Sequence, residues 1–108
     1  MTQHNAPAIK LITDRWSQHV QYFNGIAGLT QDDSDRHYDL HQELAHLATN
    51  ALTRAPKVQP TGNRVALLPS TDLGNVRIAM RRAFTDVERT RYDAIQEELH
   101  ALTDKYED

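Results

Sequence analysis

Six histidines stand in a chain of 108 residues: His4, His19, His37, His41, His46 and His100. His37 and His41 are four apart within a helical pattern, and Asp33 precedes them by one turn. Such an Asp–His–His column places three potential metal ligands on one helix face. The glutamate that gives a His-Glu-x-x-His helix its general base is missing, because Tyr38, Asp39 and Leu40 stand between the two histidines. The plainer expectation is a polar flank beside a leucine stripe at Leu40 and Leu44. Metal binding through Asp33, His37 and His41 is kept as a secondary alternative, with pH sensing behind it. No metal site is assigned, and no cofactor is expected.

Other reactive constellations are harder to assemble. Asp32 with Asp33, and Glu97 with Glu98, are adjacent carboxylates that point about 100° apart on a helix, so neither pair converges on one atom as acid–base work requires. Ser17, Ser34 and Ser70 have no nucleophile-elbow context. Four scattered glycines form no phosphate loop, and the absence of cysteine removes thiol catalysis and disulfides. These residues give an enzyme nothing to work with, so a non-catalytic protein is expected.

Two segments suggest binding instead. The first is basic: Arg77 and Arg81 lie one turn apart with Arg82 beside them, and the run 77–91 resembles a nucleic-acid-reading helix in its charge. Against that, Arg82 with Asp86 and Arg89 with Asp93 have acidic neighbours at pairing distance. The chain as a whole carries −3, which gives no global attraction to phosphate. A small DNA-binding regulator using residues 77–91 is therefore the alternative, and the basic helix is expected to pack beside acidic ones. The second segment is the connector 55–70, which holds three of the four prolines and the apolar residues Val65, Leu67 and Leu68. Exposing those three would forgo about 5–9 kcal/mol of burial, comparable to the whole stability of a small domain. They are expected to be covered by the chain's own core, by a second copy or by another protein. Long irregular connectors in compact domains often carry function.

The elements that must position these residues are helical throughout. Ile9, Ile12, Trp16, Val20 and Phe23 mark one face of a helix over 7–25, opened by Pro7 and stopped near Gly25 and Gly28. Asp32, Asp33, Ser34 and Asp35 supply cap candidates for a second helix, 33–54, whose stripe is Leu40, Leu44, Leu47 and Ala51. Leu73, Val76, Met80, Phe84 and Val87, then Ile95, Leu99, Leu102 and Tyr106, continue the spacing. A capping-box pattern at Thr85 and Glu88 predicts a break there, giving helices over 71–84 and 86–106.

The sequence thus predicts one all-α domain, 1–108, with three or four helices in a small bundle. Hydrophobic content is 39% and charged content 25%, which suits a modest core rather than a disordered chain. No apolar run approaches a membrane span, and the first residues have no signal-peptide pattern, so a cytoplasmic protein is expected. The leading functional expectation is a protein-interaction module of the adaptor, anti-activator, inhibitor or chaperone-like kind, acting on a larger protein and self-associating as a homodimer. Val65, Leu67, Leu68, Arg77 and Arg81 are its candidate partner-binding residues.

Overall fold

In the computed structural model, which describes residues 5–58 and 69–107, the helices run in the order α1 (Ala6–Asn24), α2 (Gln31–Arg54), α3 (Pro69–Ala83) and α4 (Asp86–Lys105). The fold is the all-α bundle that the periodicity implied, and every helix boundary lies within two residues of its expected place. Val65, Leu67 and Leu68 lie outside the described residues.

Local chemistry explains where the helices start. Thr85 caps α4: its hydroxyl accepts from the Glu88 N–H, and the Glu88 carboxylate accepts from the Thr85 N–H. That reciprocal pair satisfies two orphan donors and divides α3 from α4 at the expected point. α2 begins earlier than its acidic cluster suggested. Thr30, in extended conformation, accepts from the Asp33 N–H, which leaves Asp32 and Asp33 inside the first turn, where negative charge suits the helix dipole. α1 and α2 are joined by the loop 25–30, in which Gly28 takes the left-handed conformation at φ 81°.

α1 and α2 form an antiparallel hairpin, pinned at its open end by Asn5. That residue is 1% exposed. Its amide donates to the carbonyls of Leu52 (2.7 Å) and Ala55 (3.2 Å), and its carbonyl oxygen accepts from the Val58 N–H at 2.9 Å. Two orphan carbonyls at the end of α2 are satisfied by a residue fifty positions away. α4 runs antiparallel to α2 along a ladder of ion pairs: Asp33 with Lys105, Arg36 with Glu98, Glu43 with Arg91, and Arg54 with Glu88. These half-exposed pairs fix register more than they add stability.

α2 is the central helix and packs against all three others. Ile12, Leu40, Leu44, Leu52, Met80 and Ile95 are fully buried, each contributing about 1.5–3 kcal/mol relative to exposure. Two expectations fail here. Val87 is 80% exposed, because the break at Thr85 restarts the helical phase and turns it outward. His37 and His41 are no polar flank: at 4% and 7% exposure they belong to the buried face of α2.

Candidate functional site

α1 and α4 both lie on α2, but they make little contact with each other. They meet where Tyr106 sets edge-on against Phe23, with ring centroids 5.8 Å apart. Between them runs a groove of about 470 Å³. Trp16, His19, Tyr22 and Phe23 of α1 form one wall. Tyr92, Gln96, Leu99, His100 and Thr103 of α4 form the other. The floor is His37, His41 and Leu44 of α2, and Arg77 of α3 and Ile26 of the first loop complete the lining. The side chain of Tyr22 stands out from the rim, 81% exposed.

The floor histidines are held by packing. The His37 ring stacks on Phe23 with centroids 3.9 Å apart and planes within 1°. His41 follows at 4.6 Å from His37, and His19 lies 6.3 Å from His41. Burial pushes the pKa of both His37 and His41 down to about 4, the neighbouring imidazoles adding to the effect. His19 is also lowered, first by burial and then by the Arg15 and Arg77 charges. All three rings are therefore neutral at pH 7.

The Nδ1 atoms of His37 and His41 are sealed from solvent and have no hydrogen-bond partner. A sealed N–H without an acceptor is rare and costly, whereas a sealed lone pair is tolerated better. The single proton of each neutral ring is accordingly assigned to Nε2, which is not among the sealed atoms of these two groove-lining rings. The floor then presents two N–H donors.

The field over these donors is one-sided. The chain carries 15 acidic residues, yet none of the fourteen described residues lining the groove is Asp or Glu. Its polar lining is Arg77, four imidazoles and the uncharged Gln96, Thr103, Tyr22 and Tyr92. Asp33, the expected third member of the histidine column, faces elsewhere. Its carboxylate accepts from Lys105 (2.7 Å) and from the Tyr106 hydroxyl, contacts that hold its pKa below the usual carboxylate value. Among the described residues no group of three or more His, Asp or Glu side chains could hold a metal ion. Metal on Nε2 would also force the ring proton onto the sealed Nδ1, where no acceptor waits.

Arg77, Arg81 and Arg82 of the basic segment have different surroundings. Arg77 lines the groove. Arg81 lies 5.5 Å from the Tyr92 ring centroid and 3.8 Å from Asp93. Arg82 borders a second cleft of about 410 Å³, together with Arg54, Lys57 and Val58. Arg77 and Arg81, one turn apart, thus lie on the side of α3 that meets Tyr92, and Arg82 lies toward the other cleft. The basic residues do pack beside acidic helices, as with Arg91 on Glu43.

The groove residues were partly visible beforehand. Trp16 and Phe23 stood out as members of the α1 stripe, but nothing in the chain says that α4 stands off from α1. For the histidines the missed signal is register: 37, 41, 44, 48 and 51 share one helical face. Comparison of the chain with protein-family models, curated proteins and solved structures gives no match.

Proposed function

We propose that this chain is a non-catalytic protein-interaction module whose docking surface is the α1–α4 groove, and that the groove receives an amphipathic helix from a larger partner protein. The groove itself carries the reading. It is an open slot on the central helix of a bundle, walled by aromatic and aliphatic side chains over about two turns of α1 (Trp16 to Phe23). That is the geometry into which a helix lays apolar anchors at i, i+3, i+4 and i+7. The partner helix is acidic on its flanks, because the lining offers Arg77 and imidazoles and no carboxylate among its described residues. Occupying this slot acts on the partner by covering the face of the helix it presents.

A photo-crosslinking amino acid at Tyr22, on the groove rim, tests the reading against the same label at Tyr38, which is exposed on α2 away from the lining. In the source cells the Tyr22 label should give a discrete adduct with a larger protein, lost in Leu99→Asp and absent from the Tyr38 label. A Tyr22 adduct of twice the chain mass would assign the groove to a second copy instead. Equal labelling from both positions, or none from Tyr22, would overturn the proposal.

A further inference from the structure

Resting on that docking reading, we propose that the groove floor is a carboxylate seat: an acidic side chain on the apolar face of the incoming helix accepts hydrogen bonds from the Nε2–H groups of His37 and His41 within the field of Arg77. Three independent features point to this ligand.

The first is the pair of buried rings. Both are more than nine-tenths buried and both line the groove. Two buried imidazoles on the core-facing side of a helix call for an explanation. A leucine at either position would extend the stripe of Leu44, Ala48 and Ala51 with no orphaned atom, so packing alone does not account for the imidazoles. The second is geometry. The two rings sit side by side with centroids 4.6 Å apart, and a carboxylate offers two oxygens with several acceptor directions to such a pair. The stack on Phe23 holds His37 in place before any ligand arrives, which limits the ordering cost of binding. The third is charge. Among the described lining residues there is one cation, Arg77, and no anion, so an arriving carboxylate meets no repulsion in the groove. Charge-assisted hydrogen bonds in such a partly desolvated slot are stronger than neutral ones.

The chain's single tryptophan, Trp16, lines the groove and reports occupancy by fluorescence. Four probes are titrated: octanoate, the neutral octanamide, a fourteen-residue amphipathic peptide with a leucine face and glutamate flanks bearing one further glutamate at the centre of its apolar face, and the same peptide with glutamine at that central position (probe sizes of roughly a groove-filling chain and about four helical turns). Octanoate should bind at least tenfold more tightly than octanamide, and the glutamate peptide at least tenfold more tightly than its glutamine twin. His41→Leu should erase both differences, whereas His41→Gln, which keeps an N–H donor near the Nε2 position, should preserve much of them. His37→Leu and His37→Gln repeat the comparison, with far-UV circular dichroism showing that each variant is folded. Charged and neutral probes that bind alike, or discrimination that survives His41→Leu and His37→Leu, overturns the carboxylate seat and leaves the groove as a docking surface. Discrimination by octanoate but not by the peptide pair overturns a protein side chain as the source and assigns the seat to a free acid. If no probe, charged or neutral, perturbs Trp16, the docking reading falls as well.

Discussion

Acid should weaken this fold well above the pH at which its carboxylates titrate. His37 and His41 have an ordinary pKa of 6.5 and folded values near 4. Between those limits the unfolded chain binds more protons than the folded one, so stability is complete above pH 6.5 and falls as pH drops through the window. At pH 5 the linkage relation gives a loss of about 2 kcal/mol per ring; the rings border an open groove whose solvent screens the effect, so about 1 kcal/mol each is the working figure. Their surroundings reinforce the direction. His19 and Tyr22 face them from α1, Arg77 from α3, and Tyr92 and His100 from α4, with no carboxylate among the described lining residues to welcome a proton. Asp33, one turn before His37, is committed to Lys105 and Tyr106. Glu43, Glu88 and Glu98 have lowered pKa values through their arginine partners, so what they contribute is lost only as pH falls below their ordinary 4.5. Urea unfolding followed by Trp16 fluorescence at pH 7.5, 6 and 5 should therefore show a loss of about 2 kcal/mol across that range. The double variant His37→Leu, His41→Leu should lose most of that slope whatever its stability at pH 7.5. A variant with the wild-type slope would refute the assignment of the acid sensitivity to these two rings.

Three further outcomes follow from the packing. Asn5→Ala removes the side chain that bonds the Leu52 carbonyl and the Val58 N–H; it should cost about 2–3 kcal/mol in urea unfolding and speed amide exchange at the C-terminal end of α2. Thr85→Ala removes the hydroxyl half of the α4 capping box and should cost about 1 kcal/mol, with raised amide exchange confined to the first turn of α4. Val87→Glu, at an exposed position, should change stability by less than about 0.5 kcal/mol, whereas Met80→Ala, at a sealed one, should cost about 2–5 kcal/mol; thermal unfolding of the pair separates the two environments.

Much of the fold was legible one residue at a time. The capping box at Thr85 and Glu88 is a local hydrogen-bond pattern, so its position in the chain was enough to divide α3 from α4. The stripes through Ile12 and Trp16, and through Leu40 and Leu44, gave the buried faces because helical periodicity follows from backbone geometry alone. Where a choice depended on a neighbour, local signals misled. The acidic cluster at 32–35 offered several caps, yet Thr30 provides it, one residue before the helix and beside the turn at Gly28. Val87 keeps the apolar spacing of α3 but belongs to α4, whose phase is set afresh.

The sequence by itself determined an all-α bundle of three or four amphipathic helices, with ends within two residues of those described, and a chemistry limited to imidazoles, carboxylates and arginines. Only the tertiary structure decided that α4 lies on α2 at a distance from α1, which opens a groove over His37 and His41 while leaving both rings largely buried. The reason is physical: propensity, capping and periodicity act over a few residues, whereas the dielectric around a side chain depends on elements packed against it from far along the chain. His37 is a polar residue in the sequence and a buried, neutral donor in the fold because Phe23 stacks on it from α1.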